Sequence, residues 1–361
     1  MKKTILISTG GSGGHVIPAT IFFEHLKYDY EIIFSTDIRG LKFLDNNKYN
    51  VEIINTPKLF SNFFLLPFKL ILIFLLTIKS TYFLKRKKIK FIISTGGYMS
   101  LPLCLAAKIL NKKIYLFEPN MVLGKANKFF LSLSEKIFCY SSDIKNFPLE
   151  YVGKISLIKP LLRKTFYELE VGKDKRVDNI LNLLIIGGSQ GAKLFDTIIK
   201  ETIITLSKKY KLTIFQQTKK SNIEALKNFY EVNNIKNELF DYDDNILELF
   251  KKVNFSITRG GASTLSELIF LNIPHLVIPL PIPNDDHQYQ NALFYKNNDC
   301  CWILNQEEIS ESLLTNNLIN ILEDKNDYIK KVENMKKFNY QNTWNNINQK
   351  IKDTLNENRT S

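Results

Sequence analysis

The sequence predicts an α/β fold of two doubly wound parallel sheets, and three observations predict it. Short β-rich runs alternate with longer helical patterns along the chain. Several runs are apolar at nearly every position, as strands covered on both faces are. A glycine-rich loop follows a strand in each half, Gly10–Gly14 and Gly187–Gly191. The 361 residues suffice for two domains with separate cores. Apolar residues make up 45% and aromatics 12%, which excludes a disordered chain. A net charge of +13 favours an anionic partner (nucleic acid, a membrane surface or a phosphorylated substrate), although a merely solvated basic surface has the same composition. The four cysteines, Cys104, Cys139, Cys300 and Cys301, have neither metal-ligand spacing nor a disulfide pattern, which suits a reducing cytosol. The apolar run after Met1-Lys2-Lys3 is too short for a signal-peptide core, so the chain is expected inside the cell.

Taken in order, Thr4–Ser8 is the first expected strand, and the loop after it reads Gly10-Gly11-Ser12-Gly13-Gly14-His15. Glycines permit positive φ and close backbone approach, and amides at the start of the next helix attract anions. Pro18 is expected in that helix's first turn. The spacing is neither the dinucleotide fingerprint nor a P-loop, which disfavours NAD binding and ATP hydrolysis. A lone histidine usually caps or packs, but an imidazole beside a glycine loop is also suited to be the general base for a hydroxyl. Glu31–Ser35 is the next strand. Residues 59–88 follow, an apolar stretch ending in Lys85-Arg86-Lys87-Lys88. Pro67 and Lys69 interrupt it and leave Leu70–Ile78 as its uncharged core, short of the roughly 20 residues a span needs. Association with the face of an anionic membrane is the expectation, narrowly ahead of core packing.

Phe91–Ser94, Ile114–Phe117 and Lys136–Tyr140 complete the first series of strands. The charged stretch Arg163–Asn182 reads as a linker. Leu183–Ile186, Leu212–Phe215, Val253–Ile257 and His275–Ile278 form the second series. In the loop after Leu183–Ile186, Ser189 and Gln190 offer polar groups to phosphate oxygens. After Val253–Ile257, Arg259-Gly260-Gly261 leads into a helix starting near Ala262-Ser263-Thr264 and carrying Glu267. A carboxylate there suits a ribose cis-diol, or simply favours the helix dipole. His287 and Gln288 have tips suited to sugar hydroxyls, whereas Asp285-Asp286 lacks the companions a metal site needs. Trp344, Ile347, Ile351 and Leu355 share one helical face, so a terminal helix is expected to dock on the body.

Five stretches together are diagnostic: Gly10–Ala19, "TGGYMSLP" at 95–102, "EPNMVLGKANK" at 118–128, "GGSQGA" at 187–192, and residues 258–292. In this order they resemble the MurG family, UDP-N-acetylglucosamine transferases that convert lipid I to lipid II in peptidoglycan synthesis. The resemblance implies a GT-B fold, two Rossmann-like domains with a cleft between them. Expected bounds are 1–160 for the acceptor- and membrane-facing domain, 161–335 for the UDP-GlcNAc domain, and 336–361 for a terminal helix packing back. It also implies inversion at the anomeric carbon, no metal and no cofactor, with UDP-GlcNAc and lipid I as substrates. The expected location is the cytoplasmic face of the inner membrane, peripherally bound through 59–88.

The matching positions imply roles. Ser12, Gly13 and Gly14 lie near donor sugar and diphosphate, and His15 is the candidate catalytic base. Gly96, Gly97 and Tyr98 serve the acceptor side, and Asn120 contacts GlcNAc. Ser189 binds diphosphate, and the helix start Ala262, Ser263, Thr264, Leu265 and Ser266 supplies amides to phosphate. Glu267 holds ribose, and His287 and Gln288 hold sugar hydroxyls. Arg163 is the diphosphate contact, although it stands one position later than the family's Gly-Asn-Pro-Val-Arg places it. Pro119 replaces the family's usual glutamine before Asn120. Two other readings compete. An epimerase of the same fold would use UDP-sugar without lipid, which leaves 59–88 unexplained. A nucleic-acid- or membrane-binding protein accounts for the charge but leaves the glycine loops and Glu267 idle, and no RNA-binding aromatic spacing is evident, so no nucleic acid is expected.

Overall fold

A run such as Thr4-Ile5-Leu6-Ile7-Ser8 has no polar face to leave in water, so its strand belongs inside a sheet covered on both sides. The computed structural model describes residues 2–45, 47–57, 63–169, 175–187, 194–241, 246–281 and 286–356, and has that arrangement twice. Among the described residues, the first sheet has seven parallel strands in the order β3-β2-β1-β4-β5-β6-β7. They are β1 (Lys3–Ser8), β2 (Tyr30–Thr36), β3 (Asn50–Ile53), β4 (Phe91–Ser94), β5 (Lys113–Glu118), β6 (Lys136–Cys139) and β7 (Ile155–Leu157). The second has six, in the order β10-β9-β8-β11-β12-β13, also parallel. These are β8 (Ile180–Ile186), β9 (Lys211–Gln217), β10 (Lys236–Phe240), β11 (Phe255–Thr258), β12 (His275–Val277) and β13 (Trp302–Ile303).

Strand alternation explains the apolar runs. Ile5 and Ile7 enter one core with Val16, Phe22 and Phe117, while Leu6 between them enters the opposite core with Ile92, Ile114 and Leu103. Burying each such side chain is worth about 1.5–3 kcal/mol. β3, β7, β10 and β13, which are not among the strands expected from the sequence, are the edges of the two sheets. Strand order reverses between β1 and β4 in one sheet and between β8 and β11 in the other. Loops leaving the carboxyl ends of two such strands diverge, and the crevice between them is where open α/β sheets bind ligands.

The chain divides into a first unit of residues 1–167 with 342–361 and a second of 168–341. Residues 161–167, expected in the second domain, therefore lie in the first. Leu161 joins the first core, its N–H donates to the Tyr140 hydroxyl at 3.0 Å, and Phe166 is buried. The Trp344–Asn356 helix rests on the first unit through Ile347, Ile351 and Leu355, with Trp344 stacked 3.6 Å from His25.

Two prolines sit differently from expectation. Pro18 lies inside the Gly13–Leu26 helix, beyond its first turn, so the Gly14 carbonyl has no Pro18 N–H to accept from. Pro67 is in the first turn of the Leu66–Arg86 helix, so it starts that helix rather than interrupting it. Lys69 does not break it either. The helix has 21 residues and is long and apolar enough, by length and composition, to cross a membrane. One face, with Ile73, Thr77, Ser80 and Leu84, is buried on the first unit. The other exposes Phe68, Ile71, Leu75, Ile78 and Tyr82, a continuous apolar stripe at helical spacing.

Each unit also buries a histidine. Burial pushes the pKa of His25 down to about 3 and that of His275 to about 4. The unfolded chain takes up these protons near pH 6.5 and the folded chain does not. Stability is therefore fully present above pH 6.5 and falls as pH drops below it, by about 2 kcal/mol per histidine at pH 5. Thermal melts at pH 7 and pH 5 should show this loss, and His25→Phe should lessen it. Equal melting temperatures at both pH values would contradict this account.

Candidate active site

At the first switch point, β1 runs into Gly10 and Gly11 (φ +153° and +83°), and β4 into Gly96 and Gly97 (φ +101° and +93°). His15, near the start of the Gly13–Leu26 helix, bridges the two loops. Its Nδ1 lies 2.8 Å from the Thr95 carbonyl, and the Thr95 hydroxyl donates to the His15 carbonyl at 2.9 Å. A carbonyl only accepts, so Nδ1 carries the proton, and the neutral ring presents its lone pair at Nε2. That is the tautomer a general base requires. A Cβ on Gly96 would stand 3.0 Å from the imidazole Cε1 and Nδ1, so this loop closes on His15 only as glycine.

Two buried carboxylates brace the neighbouring loops. Asp37, after β2, accepts from the Gly11 and Gly40 amides at 2.9 Å each and from Arg39 Nε at 2.8 Å. Burial alone would raise its pKa, but these donors outweigh it and hold the carboxyl below its ordinary value. Glu118, at the end of β5, accepts from the Asn120 amide (3.2 Å), Asn120 Nδ2 (2.9 Å), the Gly124 amide (2.8 Å) and Asn127 Nδ2 (3.0 Å). The loop folds around this one carboxylate, which sets the end of the Asn120 amide that turns away from it.

In the second unit the switch-point loops follow β8 and β11. Gly187 begins the first of them, while Ser189 and its neighbours through Ala192 lie outside the described residues. In the second, the Gly260 amide and the Leu280 amide both donate to Gln288 Oε1, at 3.2 and 3.0 Å, and Asn291 Nδ2 donates to the Gly260 carbonyl at 3.0 Å. Gln288 thus spends its oxygen on the backbone and keeps Nε2 as a donor. The Ala262–Phe270 helix follows, capped by Gly261 without a side-chain hydrogen bond. The Leu265 amide already donates to the Gly261 carbonyl at 3.0 Å, so only the amides of Ala262, Ser263 and Thr264 lack an acceptor within the helix. The side chains of Leu265 and Ser266 are buried, and Ser266 Oγ bonds to the Ala262 carbonyl at 2.8 Å. Glu267 lies beyond the first turn, so the helix dipole does not account for it. A Cβ on Gly260 would stand 2.6 Å from the Gln288 carbonyl carbon, a backbone atom that has no room to yield. Gly260→Ala should therefore strain this turn and destabilise the second unit by about 1–3 kcal/mol, with the first unit's melting transition unchanged. A melting curve identical to that of wild type would show that the turn yields freely.

Residues 5–139 match the glycosyltransferase family 28 N-terminal domain, and residues 182–351 match the family's C-terminal domain. The chain is 53% identical over 358 residues to the UDP-N-acetylglucosamine–N-acetylmuramyl-(pentapeptide) pyrophosphoryl-undecaprenol N-acetylglucosamine transferase of Pelagibacter ubique (strain HTCC1062), covering 99% of this chain and 100% of the relative. It is 36% identical over 332 residues to the protein of the same name from Rickettsia felis, covering 89% of this chain and 91% of that one. The chain belongs to glycosyltransferase family 28. The fold of this family 28 transferase also matches the crystal structure of Acinetobacter baumannii MurG, with a TM-score of 0.77 at 22% identity over 99% of this chain and 100% of that one.

In the transferase, Ser12, Gly13, Gly14 and His15 follow β1, and Gly96, Gly97 and Tyr98 follow the adjacent strand β4, with His15 touching Thr95 and Gly96, and Asn120 on the next loop, after β5. Ala262–Glu267 and Gln288 gather at the second switch point, and His287 begins the helix carrying Gln288. Arg163 is in the first unit, beyond β7, with its guanidinium 5.3 Å from the Phe166 ring centre. Thr95, Asp37, Glu118 and Asn291 have no role among the expectations from sequence. For Glu118 a signal existed, a lone acid closing an apolar strand directly before the Pro119-Asn120 motif.

Proposed function

We propose that the transferase moves GlcNAc from UDP-GlcNAc to the C4 hydroxyl of MurNAc in undecaprenyl-pyrophosphoryl-MurNAc-peptide, lipid I, giving lipid II. The observation that carries this is the 53% identity, over the full length of both chains, to a protein of that activity by name. The His15 geometry supports the chemistry. Nε2 of His15 takes the C4 hydroxyl proton as the oxygen attacks the anomeric carbon, and the bond to UDP breaks with its electrons leaving on the diphosphate. Amides of Ala262, Ser263 and Thr264, with Ser189, meet that charge. Asn120 and the Gln288 Nε2 donor, with His287, hold GlcNAc hydroxyls, and Glu267 takes the ribose. Ser12, Gly13 and Gly14 border the donor, Gly96, Gly97 and Tyr98 the acceptor, and Arg163 is the further diphosphate contact.

The enzyme sits peripherally on the cytoplasmic face of the membrane. Its support is the exposed stripe Phe68, Ile71, Leu75, Ile78 and Tyr82, which runs toward the exposed Lys85, Arg86, Lys87 and Lys88. Each basic residue near an anionic surface adds about 1 kcal/mol. The test is UDP release from UDP-GlcNAc with and without lipid I, on anionic and on neutral vesicles. Acceptor-dependent release, greater on anionic vesicles, is expected. Consumption of UDP-GlcNAc without lipid I would favour an epimerase and overturn the proposal.

A further inference from the structure

Beside the His15 loop, an open cavity of about 300 Å³ is lined by Asp37, Ile38, Arg39, Asn55 and Thr56. None of these residues has a role in the transfer step as described above. Arg39 is half exposed, and its Nε is tied to Asp37 Oδ2 at 2.8 Å. Among the described residues it makes no other hydrogen bond, so both Nη groups keep their protons for a ligand. Nη2 lies 3.7 Å from the point a Gly11 Cβ would occupy, which sets the guanidinium against the glycine loop leading to His15. The same Asp37 carboxylate holds the Gly11 amide, so one group positions both the loop and the arginine.

We propose that Arg39 is an acceptor-binding residue, whose guanidinium takes an oxyanion of the acceptor in this cavity. The inference rests on the transfer reading and deepens it. A guanidinium fixed through Nε presents a preformed fork that matches phosphate or carboxylate oxygens. The pair's carboxylate is nearly buried and its guanidinium is half exposed, so the face turned to solvent is cationic. The rest of the wall carries no charge: it is the apolar side chain of Ile38 with the polar Asn55 and Thr56. Asn55 Oδ1 accepts from the Ile38 amide at 3.2 Å, which turns its Nδ2 donor away from that bond. Thr56 donates to the Met99 carbonyl at 3.3 Å and keeps its lone pairs as acceptors. The acceptor has two sources of the required oxyanion: the diphosphate on the sugar that is attacked, and the carboxylates of its stem peptide.

The experiment is steady-state kinetics on the full chain with UDP-GlcNAc and lipid I, repeated with a lipid I analogue lacking the stem peptide. For Arg39→Gln the acceptor KM is expected to rise about 10- to 100-fold, with kcat and the UDP-GlcNAc KM within about twofold of wild type. Arg39→Lys should recover part of the loss, since it restores the charge without the fork. Asn55→Asp leaves the Asp37–Arg39 pair intact and places a repelling carboxylate in the cavity, so it too should raise the acceptor KM. A rise that persists with the stemless acceptor assigns the diphosphate, and one that vanishes assigns a stem carboxylate. Unchanged acceptor KM in Arg39→Gln and Asn55→Asp, or a parallel rise in the UDP-GlcNAc KM, would overturn the inference while leaving transfer intact. Wild-type protein that releases no UDP on addition of lipid I would instead sink the transfer reading, and this inference with it.

Discussion

Replacing His15 with alanine is expected to lower acceptor-dependent UDP release by about 10²- to 10⁴-fold, with UDP-GlcNAc affinity within about twofold of wild type. The expectation follows from the tautomer. The Thr95 carbonyl, 2.8 Å from Nδ1, fixes the proton there and leaves Nε2 as the basic atom. Alanine keeps the helix and the Thr95 hydroxyl's bond to the residue 15 carbonyl but removes the imidazole, with both Nε2 and the Nδ1 bond to Thr95, so turnover and donor binding are measured side by side. Single-turnover kinetics with lipid I, beside calorimetric titration of UDP-GlcNAc, would read both. A variant with wild-type turnover would leave transfer standing and remove His15 as its base.

Glu118→Ala is the second large effect. It should destabilise the first unit by about 3–5 kcal/mol and raise the UDP-GlcNAc KM at least about tenfold. Two backbone amides and two asparagine side chains donate to this one buried carboxylate, and alanine removes that acceptor from all four, leaving Asn127 Nδ2 only its bond to the Phe117 carbonyl. Asn120 then loses the contact that orients it. Glu118→Gln conserves volume but turns an amide N–H₂ toward N–H donors, so it should lose nearly as much. Urea unfolding together with donor KM separates the two consequences. Near-wild-type stability in both variants would show that the loop is held by something else.

Which features were legible follows from what each residue touches. The interior strands were readable because both of their faces are buried, as at Ile5, Leu6 and Ile7, so the apolar run is unbroken. β3, β7, β10 and β13 escaped because an edge strand is paired on one side only and keeps polar, partly exposed positions. The His15 loop was readable because four glycines around one imidazole have few structural uses. Asp37 was not, because nothing local distinguishes it from a surface acid, whereas Glu118 had one local mark, its place as the lone acid closing an apolar strand. Pro18 and Pro67 differ from expectation because the first helix begins inside the glycine loop, at Gly13, and the other begins only at Leu66, just before its proline.

The sequence by itself determined the alternating architecture, the glycine positions at both switch points, the terminal helix face and the family. Each is written in residues close together in the chain or in a motif whose order survives divergence. Only the tertiary structure decided that Arg163 belongs to the first unit, that Gln288 spends its oxygen on backbone amides, and that His15 Nδ1 is held by the Thr95 carbonyl. The reason is distance along the chain. His15 and Thr95 are 80 residues apart and become partners only because β1 and β4 are neighbours in the sheet, an adjacency that no local pattern encodes.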